Sequence, residues 1–353
     1  MFHSSANALI RVALFPVLLL FWQHVFGTDL PLLAPAMCAV FLTTTHTPPP
    51  LFMVFLMAGV LYFTSWLQAW IGTLLIDFPH VYYLALLGMF YWCMDRTRKN
   101  AQDLVAILLI VATAMIAVFI KQKAIAVNLI PLALLKNIFI AGFTAYLAYF
   151  LFPGGEPLTT QSSSVAGSKV PHQRWHTLFK ASLVLLILSI GITLDLEQST
   201  IIAIVVALII KDPDPVIGHN YGVRRLLTTY ASVLYAVPPL LMCVFQTNII
   251  AQLGVSIVCA LFMGIHAVEK KASYNSIQML YSSYVVLVFY AITSTSINAL
   301  SEGLTRFGSV MLAVLLGIMA LIIMQPKTPP AVPALPNQPA PPNQPAPPNH
   351  NTP

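Results

Sequence analysis

The chain has 353 residues, of which 58% are of the apolar and aromatic types and only 8% are charged, with a mean hydropathy of +0.82. Soluble domains carry about 25% charged residues, so this composition leaves no room for a sizeable soluble domain and defines an all-α integral membrane protein. The net charge of +6 does not point to nucleic acid, because the basic residues stand in short loops between apolar runs, where they orient the chain in a bilayer.

A spanning helix needs roughly 20 apolar residues, and the chain divides into twelve such runs. The first ends near Phe26. It resembles a signal peptide, but no small-residue cleavage site follows and Trp22 and His24 interrupt it, so it is expected to be retained. The next runs lie at about 30–45, 51–75, 81–94, 104–120 and 124–152. Pro153-Gly-Gly155 and the Ser/Thr/Gly-rich stretch that follows then form a polar linker. Six more runs lie at about 179–194, 200–210, 226–245, 249–268, 277–295 and 304–324, the fourth and eighth being short for a span. A tail follows in which Pro-Asn-Gln-Pro-Ala-Pro occurs at 336–341 and 342–347, a composition that forms an extended polyproline-type chain with no core.

The expected organisation is therefore a first six-helix unit at 1–153, a cytoplasmic linker at 154–175, a second six-helix unit at 176–326, and a disordered tail at 327–353. Internal landmarks support a duplication. Arg11 and Lys180, Asp95 and Glu269, Lys136 and Arg306, and Pro153 and Pro326 are separated by 169 to 174 residues. Six is an even number of crossings, so the repeats would run parallel about an axis along the membrane normal. With the N-terminus in the cytoplasm, thirteen of the seventeen Lys and Arg fall on the cytoplasmic side, which places both termini there.

Charges inside apolar runs are the candidate functional residues. Lys136 lies in the sixth run, where a cation costs roughly 2.5–3.5 kcal/mol unless it faces a cavity or a partner. Its counterpart Arg306 would bring a second cation and suit an anion; alternatively both snorkel to the headgroups. Arg11 and Lys180 stand at the cytoplasmic starts of their helices, placed either to attract an anion or to orient the chain. Asp29 and Asp195, in the outer turns, are candidate proton carriers or solvated turn residues. His24 is a candidate proton relay or a packing residue.

Enzymatic activity is not expected. His24-x4-Asp29 matches a His/carboxylate pattern of glycerolipid acyltransferases, but on the outer face, away from cytosolic acyl donors. No phosphate loop and no H-E-x-x-H motif occurs. Cys38, Cys93, Cys243 and Cys259 lie in apolar runs without metal or disulfide spacing, and no metal or cofactor is expected.

The basic helix start at Lys180, the turn from Asp195 to Thr200, the loop Lys211 to Pro215, and Gly222-Val-Arg-Arg225 together resemble the fusaric-acid-resistance and aromatic-acid-exporter superfamily, bacterial relatives of the plant aluminium-activated malate transporters. The segment from Lys136 to Gly142, ending at Phe152-Pro153, resembles the last helix of that family's unit. The linker is too short for the cytosolic domain of longer members, so this would be a membrane-only branch. The resemblance implies a bacterial inner-membrane efflux protein for small organic, chiefly aromatic, acid anions, with Arg225 joining the candidate cations and a periplasmic membrane-fusion adaptor as partner. The proton gradient would drive it. A passive anion channel, or a scaffold that recruits a partner through its Pro-rich tail, are the alternatives.

Overall fold

The computed structural model describes residues 6–27, 30, 32–44, 47–75, 77–99, 103–122, 129–155, 174–194, 199–210, 215–245, 247–293 and 298–324. They form twelve α-helices and no strand: α1 (Asn7–Phe26), α2 (Leu33–Thr44), α3 (Leu51–Leu74), α4 (Pro79–Lys99), α5 (Leu104–Gln122), α6 (Ile130–Leu151), α7 (Arg174–Thr193), α8 (Ser199–Ile210), α9 (Pro215–Val244), α10 (Ile249–Glu269), α11 (Tyr274–Thr293) and α12 (Asn298–Met324). Six segments, within α1, α3, α6, α7, α9 and α10, are long and apolar enough to cross a bilayer, which marks a multi-pass membrane protein.

Several boundaries differ from the hydropathy reading. α4 runs on to Lys99 because the polar residues after Met94 continue the helix, with an Arg98–Asp95 pair at 2.5 Å one turn apart. α9 starts at Pro215, not Leu226, since a proline suits a first turn. Its Gly218 and Gly222 then pack closely on α8, where a Cβ on Gly218 would come 2.5 Å from the Ile209 carbonyl oxygen. α6 begins at Ile130 with Pro131 in its first turn, and α7 begins at Arg174, inside the expected linker. The short helices are α2 and α8, of 12 residues each, whereas α4 has 21.

Contacts between helix ends set their directions. Asn7 Nδ2 donates to Pro153 O at 2.7 Å, which puts the start of α1 beside the end of α6; we call this the proximal end of the bundle. At the distal end Gln23 of α1 meets Asn137 of α6 at 3.2 Å. The Tyr146 hydroxyl donates to Pro49 O, and Arg96 pairs with Asp103 at 2.5 Å, so α3 and α5 start proximally and α4 ends there. In the second group Gly264 of α10 lies on Leu9, Arg224 of α9 approaches Ser273 at 3.4 Å, and Leu321 of α12 lies on Gly218. The starts of α9 and α11 and the ends of α8, α10 and α12 are therefore also proximal.

The pattern of neighbours in the first six helices recurs in the second six. α1 packs on α2 as α7 does on α8; α2 and α3 pack on α6 as α8 and α9 do on α12; α3 and α4 pack on α5 as α9 and α10 do on α11. Between the groups, α4 meets α7 as α10 meets α1, and α5 meets α8 as α11 meets α2. α10 begins and ends 170 residues after α4, so Glu269 corresponds in register to Lys99 and not to Asp95.

Exposure separates the helices into two layers. Among the described residues, α2, α5 and α8 have no exposed side chain, and α11 has none between Ser276 and Ile292. These four are the centre; an all-apolar helix such as α8 needs to be enclosed by other helices or by lipid, and here helices enclose it. Peripheral helices bury one face. In α6 the small residues Ala133, Asn137, Ala141, Ala145 and Ala148 face inward and allow close approach, while Leu132, Phe139, Phe143 and Phe150 face out.

Candidate functional site

The second helix of each group is too short to cross a bilayer. Twelve residues at 1.5 Å rise give about 18 Å against a hydrocarbon core of about 30 Å. α2 and α8 both run from distal to proximal and both lie in the central layer. Helix termini at that depth must satisfy their free backbone groups from the protein or a water-filled space. In α2 the buried Thr43 hydroxyl serves its own last turn, at 2.8 Å from Ala39 O and 3.1 Å from Val40 O.

Arg225 lies beside this centre, on the face of α9 that carries Gly222, Thr229, Ser232 and Ala236, all buried. Gly222 packs against Ile209 of α8 and Val314 and Ile318 of α12, and Arg225 follows it by one turn. The Arg225 side chain is half-buried, and its Nε has no hydrogen-bond partner among the described residues. A guanidinium on an inner face with a free N–H is suited to a carboxylate.

Arg11 is placed differently. Its side chain is 2% exposed, and Nη1 donates to Phe152 O and to Gly154 O, both at 2.6 Å. The guanidinium carbon stands 4.3 Å from the Tyr149 ring centroid. These contacts cap the C-terminus of α6, whose carbonyls carry partial negative charge. Lys180 is half-buried two turns into α7 at the same end.

Lys136 is exposed on the outer face of α6, in line with Leu132, Phe139 and Phe143, and turned away from the rest of the chain. Arg306 lies on α12, but its side chain is outside the described residues, and with it the expected convergence with Lys136. His24 is exposed in the last turn of α1, beside Val25 and Phe26. Asp29 and Asp195 lie outside the described residues, as do the His24–Asp29 geometry, the Pro-rich tail and most of the linker.

Every Asp and Glu whose position is described lies in a turn or within five residues of a helix end: Asp77, Asp95, Asp103, Glu269 and Glu302. Asp103 precedes α5, outside the apolar spans. Burial works to raise its carboxyl, but hydrogen bonding and charge from Arg96, with the Ala106 and Val105 backbone N–H groups, hold it below the usual carboxylate range. No group of three metal-ligating side chains occurs among the described residues.

Two buried polar pairs are not apparent from hydropathy, the amides of Gln23 and Asn137 and the Gln68 amide with the Thr113 hydroxyl, at 3.2 and 2.8 Å. A signal existed: Asn137 is four residues from both Ala133 and Ala141, and Gln68 three from Ser65 and four from Gly72, so both share phase with the small residues of an inner face.

No protein-family model matches this chain, and no curated protein or solved structure matches it.

Proposed function

We propose that this is a transport protein of the bacterial inner membrane that moves small organic acid anions outward between two parallel six-helix repeats. The observation that carries the reading is the pair of 12-residue helices, α2 and α8, enclosed at the same place in each group of six. Short apolar segments at corresponding positions of two halves are the mark of a substrate site in repeat-built transporters.

The described cations support the orientation. Arg11, Arg96, Arg98, Lys99, Arg174, Lys180, Arg224, Arg225, Lys270 and Lys271 sit at the proximal end, against Lys121, Lys136 and Arg306 in the distal part. A cytoplasmic proximal end satisfies the retention of positive charge in cytoplasmic loops. Both termini are then cytoplasmic. Membership of the aromatic-acid-exporter superfamily, and with it aromatic carboxylates as substrates and a periplasmic adaptor as partner, rests on the sequence resemblance alone. Arg225 is the cation we assign to the anion, with Lys180 at the same mouth. Lys136 and Arg306 serve the distal headgroup region, since Lys136 faces the perimeter.

Passive conduction is favoured over proton coupling by one observation: the described helices hold no Asp or Glu away from their ends to carry a proton at mid-depth. The test is flux of benzoate and hydroxybenzoates from liposomes containing the purified full chain, with and without an imposed proton gradient. Flux above empty liposomes is expected. Accumulation that collapses with the gradient would replace the passive reading by the coupled one; no flux of any acid would sink the transport assignment.

A further inference from the structure

Gln68 of α3 is 4% exposed, and its Nε2 donates to Thr113 Oγ1 of α5 at 2.8 Å. Thr113 spends its single hydroxyl proton on Leu109 O, at 2.7 Å. Only lone pairs of Oγ1 remain to face Gln68, which fixes the amide with its nitrogen toward Thr113. Gln68 Oε1 is therefore an acceptor, and it meets no donor among the described residues. Leaving such an acceptor unpaired in an apolar interior is disfavoured by the full cost of its desolvation.

Gln68 lines a cavity between α3, α4 and α5, together with Thr113, Tyr82, Met89, Ile116 and Ala117. The space in which the centre of a water molecule fits is ≈ 10 Å³, room for about one water. Two further residues of its wall carry polar side-chain atoms, Tyr82 with its hydroxyl and Thr113 with the second lone pair of Oγ1. A buried water needs two to four such partners.

We propose that this cavity is the site of one ordered water that donates a hydrogen bond to Gln68 Oε1. The second hydrogen bond goes to Tyr82, which ties α4 to the α3–α5 pair in the distal half of the bundle, or to Thr113, which closes the water within that pair. This inference is independent of what the protein transports.

Radiolytic footprinting tests it on the full chain in lipid nanodiscs. A brief X-ray pulse makes hydroxyl radicals at bound waters, and these oxidise the side chains next to them. Met89, in the cavity wall, should be oxidised several-fold faster than Met57, which is 4% exposed in the apolar core. Because Met89 is itself only partly buried, the change on substitution decides: Gln68→Leu should lower the Met89 rate several-fold and leave that of Met57 unchanged. Equal rates for the two methionines in the unaltered chain, or a Met89 rate that Gln68→Leu does not lower, would overturn the proposal. If Gln68→Leu does not fold, Gln68→Met, which also removes the acceptor, carries the same comparison.

Discussion

Arg11 and Phe152, 141 residues apart, are joined by a 2.6 Å hydrogen bond from the guanidinium to the backbone carbonyl that ends α6. The same nitrogen reaches Gly154 O, and Asn7 holds Pro153 O between them. The start of α1 and the end of α6 are thereby closed on each other, with Tyr149 beneath the cation. Arg11→Ala would leave two carbonyls without their donor, and should cost roughly 2–3 kcal/mol of stability. Arg11→Lys should recover part of it, having the charge but not the fork. Unfolding titrations in mixed micelles measure both, and an unchanged midpoint for Arg11→Ala would show that the clamp contributes nothing.

Gly264 lies where α10 crosses the start of α1, and a Cβ there would fall on the Tyr281 hydroxyl and on Leu9. Tyr281 is fully buried and donates to Ala260 O at 3.0 Å, so it cannot move aside without losing that bond. Gly264→Ala should therefore destabilise the protein by about 1–3 kcal/mol, the usual range for overpacking. Gly88, on the equivalent seam between α4 and α7, has no atom near its would-be Cβ, and Gly88→Ala should be neutral. Melting temperatures of the two variants distinguish the seams.

Asp103 serves α5 twice, by accepting from Val105 N at 3.1 Å and by pairing with Arg96 at 2.5 Å. Its carboxyl is held below the unfolded value near 3.9, so its contribution is fully present above that pH and is lost as pH falls through the lower folded value. Asp103→Ala should cost about 1 kcal/mol, mostly through the helix cap, because Arg96 is largely exposed and surface pairs are worth little. The difference from the unaltered chain should shrink in acid, as pH falls through the lowered folded value. A deficit that persists there would mean the loss comes from packing.

Hydropathy made the number and order of the helices readable, because each apolar run has to be enclosed or immersed in lipid. It misplaced the ends wherever polar residues continue a helix, as from Asp95 to Lys99, or where glycines serve contact rather than termination, as at Gly218 and Gly222. Depth in the bundle was not readable from hydropathy, since α5 and α6 are both apolar and only contact with other helices makes one central and the other peripheral. The orientation of Lys136 was readable from phase. It follows Leu132 by four residues and precedes Phe139 by three, on the large apolar face, while Ala133, Asn137 and Ala141 hold the inner one. Arg225, which the resemblance places in a loop leading into the ninth helix, is helical, on the same inner stripe as Gly222 and Thr229.

That contrast in placement separates the two cations experimentally. Arg225 offers a buried Nε without an acceptor among the described residues, one turn from the glycine that meets α8 and α12, whereas Lys136 reaches outward among Phe139 and Phe143. A charge-assisted hydrogen bond to an anion contributes about 1.5–3 kcal/mol, so Arg225→Gln should weaken half-saturation of flux roughly tenfold or more. Arg225→Lys should recover less than half of the loss in free energy, because a single ammonium cannot make the bidentate contact. Lys136→Gln should leave flux unchanged at equal protein density. Initial rates from proteoliposomes over a range of acid concentrations read all three. Should Lys136→Gln abolish flux while Arg225→Gln does not, the anion would have to pass along the perimeter of α6, and the central layer would be a scaffold for it.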